Sequence, residues 1–233
     1  MSTAELGLPV VPAKGYPQDV KDRLDPDADA VIARYPVARS ALLPLLHLVQ
    51  AEEGHVSGDG IKYCAEKLDL TTAEVSGVAT FYSMYKRRQV GDFHVGVCTN
   101  TLCAVLGGDE IFAALKEHLG VENDQRTAVS PADRSLTLEH IECNAACDLA
   151  PVIMVNWEFF DNMTPEKAKA LVDDLLAGRP VVASRGPAPC SFRETERILA
   201  GFEDRREDAV RAGAAGPESL AGLKIAQQRG EYA

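Results

Sequence analysis

Four cysteines constrain this chain more than any other feature. Cys98 and Cys103 are spaced C-x4-C, Cys143 and Cys147 are spaced C-x3-C, and residues 104–142 separate the pairs. Four soft thiolates in two close pairs are a metal-site signature. Any fold that uses them must bring two sequence-distant segments together. Neither pair has the two-residue spacing usual in zinc ribbons or thioredoxin-type dithiols. The spacing therefore points to an iron–sulfur cluster, and so to electron transfer. Structural zinc, buried apolar cysteines and a redox dithiol are the alternatives. Cys64 sits on an apolar helical stripe and reads as core, and Cys190 reads as a free thiol in a linker. The histidines His47, His55, His94, His118 and His140 are scattered and receive no metal role.

Composition narrows the setting. The 233 residues are 46% hydrophobic and 25% charged, enough to bury a core without disulfide staples. The net charge of -11 disfavours nucleic acid and anionic lipid as direct partners. No apolar run approaches the roughly 20 residues of a spanning helix. Residues 1–15 lack the apolar centre of a signal peptide. The expectation is a cytoplasmic chain with reduced thiols.

The chain divides into four stretches. Residues 1–16, with two prolines and no periodicity, read as a flexible or partner-bound arm. Residues 17–90 read as an antiparallel bundle of about four helices. Asp25 and Pro26 look like the N-cap and first position of a short helix ending at Tyr35. A leucine-rich helix follows to Glu53, with Pro44 as a kink or break. Ile61, Cys64, Ala65 and Leu68 form an i, i+3, i+4, i+7 stripe. Thr71 and Glu74 form a capping box, and Val75, Val78, Tyr82 and Tyr85 line the next helix, which ends near Arg88.

Residues 91–178 change period. Phe93 to Cys98 alternate as a strand, and a helix is expected over about 104–119. Further strands are expected from Leu136 towards Cys143, over 152–155 and over 158–161, before a helix opened by Thr164-Pro165. The order β-α-β-β-α is α/β (α+β), and a thioredoxin-like sheet flanked by helices fits it. Residues 179–233 form an extension in which Phe192, Thr195, Leu199 and Phe202 make a narrow stripe. Such a stripe suits either docking on another surface or a mobile charged tail.

Neither a dinucleotide fingerprint, a Walker loop nor a nucleophile elbow is present. A cluster without a substrate site is most simply a relay in a larger machine. Oxidised, a [2Fe–2S] centre with four thiolates is already an anion, so backbone N–H donors and helix N-termini must offset its charge. The acidic neighbours Glu142 and Asp148 oppose reduction, which predicts a low potential.

Three stretches carry a resemblance: VGVCTNTLC (95–103), IECNAACDLAPVIMVN (141–156) and GVATFYSMYK (77–86). They resemble the thioredoxin-like [2Fe–2S] ferredoxin subunit of respiratory NADH:quinone oxidoreductase (complex I), the E subunit in bacteria, over about residues 18–178. The resemblance implies that Cys98, Cys103, Cys143 and Cys147 hold one [2Fe–2S] cluster. It implies that a neighbouring subunit binds NADH and FMN, and that the cluster receives single electrons from that flavin. The chain would then be a peripheral-arm subunit of a proton-translocating oxidoreductase, on the inner face of the cell membrane, with no complete active site of its own. Soluble NAD-linked hydrogenases and formate dehydrogenases reuse the same module, and a zinc-stabilised interaction module is the reading without redox chemistry. The family often has glycine in the second cysteine loop, where this chain has Asn144-Ala145-Ala146.

Overall fold

A computed structural model describes residues 13–207, 209 and 216–231; the expected arm over 1–16 falls largely outside them. The chain forms two compact units. One contains residues up to 90 together with 191–204, the other residues 91–190 together with those from 205 onward.

In the helical unit, α1 spans Gln18–Ile32 and buries Leu24, Ala28 and Val31, spaced to share one face. Asp25 is therefore not an N-cap, and Pro26 lies inside the helix. Tertiary contacts outweigh the local signal here: the Asp25 carboxylate accepts from the Tyr63 hydroxyl at 2.8 Å instead of capping. A 3-10 turn, Ala38–Ala41, leads into α2, Leu42–Glu53. Pro44 sits in the first turn of α2, where its missing N–H is no loss, so it causes no break. Gly54 ends α2 at φ 79, a conformation open to glycine.

Helix α3, Gly58–Leu68, starts at Ser57 and buries the stripe Ile61, Cys64, Ala65, Leu68. The Thr71–Glu74 capping box opens α4, Thr72–Phe81. This helix stops well short of Arg88, so Tyr82 and Tyr85 lie past its end. Tyr85 still reaches inward and donates to the Leu43 carbonyl at 2.9 Å.

In the second unit, β1 (Phe93–Cys98), β2 (Gln125–Arg126), β3 (Leu136–Ile141), β4 (Ile153–Val155) and β5 (Glu158–Phe160) form one sheet in the order β2-β3-β1-β4-β5. Strands β1 and β3 are parallel, with Phe93 opposite Leu136 and Cys98 opposite Ile141. The other pairings are antiparallel. The helix expected over 104–119 is broken at Gly107, φ 106, into α5 (Thr101–Val105) and α6 (Gly108–Leu119). Strand β2 was not legible because two exposed polar residues carry no pattern.

Helix α7, Pro165–Leu176, is capped by Thr164 and packs beside α6. Ile111 and Leu115 of α6 and Ala168, Val172 and Leu175 of α7 join Val95, Val97, Leu136, Leu138, Ile153 and Val155 of the sheet in one core. Sheet and helices in this arrangement are an α/β fold.

The extension is ordered over much of its length. A second capping box, at Ser191 and Glu194, opens α8, Phe192–Leu199. Helix α8 packs on α2, and Phe192 of α8 is buried to 1% exposure. His47 of α2 and Glu196 of α8 form a buried pair at 2.6 Å. Of the stripe expected there, Phe192 and Thr195 are buried, and Leu199 and Phe202 are half-buried. A further short helix, α9, spans Ala221–Gln228.

Candidate metal centre

Parallel pairing explains why distant cysteines meet. Strands that run the same way end at the same sheet edge, and ligands in open α/β sheets gather beyond the carboxyl ends. Cys98 is the last residue of β1, and Cys143 follows Ile141 of β3 by two residues. The two loops are tied directly. Asn100 Nδ2 donates to the Ile141 carbonyl at 3.2 Å, and the Cys98 N–H donates to the Val152 carbonyl at 3.1 Å. Farther along, the Asn162 N–H bonds the Leu149 carbonyl at 2.9 Å and the Met163 N–H bonds the Pro151 carbonyl at 3.0 Å. The peptide between Ala150 and Pro151 is cis.

Cys103 lies inside α5 rather than before a helix, because the chain turns helical at Thr101. Gly108, the first residue of α6, sets how closely that helix approaches. A Cβ there would fall 2.5 Å from the Cys98 carbonyl oxygen and 2.9 Å from that of Cys103. Only a residue without a side chain permits this contact with backbone that cannot yield. Nothing local in the sequence marked Gly108 as part of the site.

The thiols fall into two pairs. Cys98 and Cys103 are buried and hydrogen-bonded through their side chains, whereas Cys143 and Cys147 are exposed with sulfurs 3.6 Å apart. Burial, with the Cys98 thiol next, pushes the Cys103 thiol up to about 11. The Cys147 thiol is raised chiefly by its hydrogen bond to Cys143, and it also feels Cys98. So both pairs interact. Ala145 adopts φ 55, and its N–H donates to the Cys143 sulfur at 3.4 Å. The left-handed conformation costs a non-glycine residue about 1–2 kcal/mol.

This donor set suits a two-iron cluster. Among the described residues the side chains do not converge on one point as a single ion would require. A [2Fe–2S] cluster takes two thiolates per iron, a requirement that two separate pairs could meet. Cys64 is buried in the helical unit, and none of the six cysteines forms a disulfide among the described residues. His47, His94 and His118 are each paired to a carboxylate, Glu196, Glu139 and Asp173, at 2.6, 2.5 and 2.7 Å.

The acidic loop is less negative than its sequence suggests. Asp148 follows Cys147, but its Oδ1 accepts from Arg185 Nη2 at 2.8 Å and its Oδ2 from the Ser219 hydroxyl. The Ser219 hydrogen bond and then Arg185 hold the Asp148 carboxyl below the usual carboxylate range. Both partners come from the extension and carry no local sequence signal.

Known proteins place this architecture. The family profile described as thioredoxin-like [2Fe-2S] ferredoxin matches residues 28–176. The E subunit of NADH-quinone oxidoreductase from Mycobacterium bovis is 57% identical over 92% of this chain and 83% of its own length. The protein of that name from Rickettsia bellii is 38% identical over 64% of this chain and 88% of its own. Among solved structures, an NAD+-reducing [NiFe]-hydrogenase shares the fold at TM-score 0.51 and 18% identity, over 59% of this chain and only 23% of that chain. The chain belongs to the thioredoxin-like [2Fe–2S] ferredoxins and, within them, to the family of NADH-quinone oxidoreductase E subunits. Its cofactor is a [2Fe–2S] cluster. The zinc-stabilised alternative is thereby set aside. No helix among the described residues is long and apolar enough to cross a membrane.

Proposed function

We propose that this chain is the [2Fe–2S] electron-transfer subunit of the NADH-oxidising module of a respiratory NADH:quinone oxidoreductase. The observation that carries this is the two-pair thiol set at the carboxyl ends of parallel β1 and β3, in a chain 57% identical to an E subunit of that complex. Cys98, Cys103, Cys143 and Cys147 would hold the cluster. When bound, the cluster supplies one-electron chemistry. The protein's part is positional: Gly108 seats α6 against the first pair, and the Ala145 N–H offsets charge on Cys143.

Electron entry requires a partner within tunnelling reach. Cys143 and Cys147 face solvent, and the chain around Cys103 exposes Leu102, Val105 and Leu106 at 44%, 78% and 52%. Apolar side chains this exposed favour contact with another protein. The partner is the subunit that binds NADH and FMN, and the sequence of this chain carries no dinucleotide fingerprint. The complex sits on the inner face of the cell membrane, and this subunit meets it through protein rather than lipid.

The full chain should contain iron and sulfide and give a reduced [2Fe–2S] EPR signal after dithionite. Cys98→Ser and Cys143→Ser should abolish or distort that signal. Stoichiometric zinc without iron would overturn the proposal. An affinity-tagged chain should co-purify with NADH:quinone reductase activity. Recovery with a soluble hydrogenase or formate dehydrogenase would reassign the module and leave the cluster chemistry intact.

A further inference from the structure

Asp148 stands directly after Cys147, where a carboxylate opposes the arrival of an electron. Arg185 meets it from the extension. Its Nη2 donates to Asp148 Oδ1 at 2.8 Å and to Asp161 Oδ1 at 3.0 Å, and its Nε donates to Asp161 Oδ2 at 2.8 Å. The Arg185 side chain is 16% exposed and that of Asp161 4%, so solvent screens these charges weakly. The residue is also held at both ends. Its backbone bridges Phe159 of β5, and its guanidinium lies 5.9 Å from the Phe159 ring centroid. This is a fixed cation, one carboxylate away from Cys147.

We propose that Arg185 is a positioning residue that sets the reduction potential of the cluster by holding and neutralising Asp148. The inference rests on the ligand reading above. Reduction adds one electron and, at these groups, neither makes nor breaks a bond. Arg185, Asp148 and Asp161 together carry one net negative charge. Without Arg185 they carry two, and the reduced cluster is disfavoured further. Without Asp148 they carry none, and it is favoured. The acidic loop therefore depresses the potential less than its sequence implies.

The test is a redox titration of the full chain with its cluster, followed by EPR, with iron and sulfide assayed in each variant. Arg185→Gln should move the midpoint to more negative potential, and Asp148→Asn to more positive. Arg185→Lys should stay near wild type because the charge remains. The double variant should return towards wild type, since its net charge matches. If Arg185→Gln fails to hold a cluster, Asp148→Asn and Arg185→Lys decide the matter by the same readout. Midpoints indistinguishable from wild type in a normally loaded protein overturn this inference alone. A wild-type chain with no [2Fe–2S] signal overturns the ligand reading and this inference together.

Discussion

The helical unit and the sheet unit solve opposite problems. The helical unit closes on itself: apolar stripes from α1, α2 and α3 meet in one core. Gln50 is tied into it on both sides of its amide. Its amide nitrogen donates to the Met84 carbonyl at 3.0 Å, and its oxygen accepts from the Lys86 N–H at 2.6 Å. The sheet unit instead leaves reactive groups open at one edge. Its core lies between the sheet and α6 and α7, while Cys143 and Cys147 stay exposed on a loop with a left-handed alanine. The helical unit spends its apolar surface on burial, whereas the sheet unit leaves thiols open at its edge.

That contrast can be broken by substitution. The largest effect should come from Leu45→Ala, which opens a cavity in the core of the helical unit. It should cost about 2–5 kcal/mol in thermal or denaturant unfolding. The EPR spectrum of the cluster should survive at permissive temperature. A lost spectrum in a folded variant would show that the cluster depends on the helical core.

Gly108→Ala should reverse the pattern. The added Cβ meets the Cys98 carbonyl, which is backbone and cannot move aside. Overpacking of this kind costs about 1–3 kcal/mol. Cluster content, measured as iron and sulfide per chain, should fall more steeply than stability. Normal cluster content would mean that α6 does not set the loop.

Cys64→Ser sharpens the comparison further. The thiol is fully buried, and burial raises its pKa, so it is an inert core group. A buried hydroxyl lacking a partner costs about 1–3 kcal/mol. The EPR signal should be unchanged, and its loss would refute the assignment of Cys64 to the core.

The smallest effect concerns acid. The Thr71 backbone N–H, the Thr71 hydroxyl and Arg39 together lower the Glu74 carboxyl to about 2. A depressed carboxylate stabilises the fold above its ordinary value near 4.5 and loses that contribution as pH falls through about 2. Thermal unfolding of Glu74→Gln should therefore approach that of wild type as pH drops from about 5 to 2. A constant difference across that range would discount the capping box.

Much of this was legible because it is local. The capping box at Thr71, the stripe through Cys64, strand β1 and helix α7 all rest on residues within a few positions of one another. The errors were local signals outvoted by distant contacts. Asp25 and Pro26 look like a helix start, but α1 continues through them because its face is buried and Asp25 has Tyr63 as a partner. The helix over 104–119 looks continuous, but Gly107 breaks it and places Cys103 within α5.

The sequence by itself determined the candidate donor set. Cysteine identity and spacing are chemical facts that no packing alters, and they pointed to two thiolate pairs and an iron–sulfur cluster. Tertiary structure decided where those thiols stand and what surrounds them. Parallel pairing of β1 with β3 brings Cys98 and Cys143 to one edge across residues 104–142. Gly108 seats the helix behind them, and Arg185 and Ser219 return from the extension to meet Asp148. The physical reason is one of range. Propensity and periodicity act over a few residues, whereas the charge around a metal centre is set by groups that only the folded chain brings together.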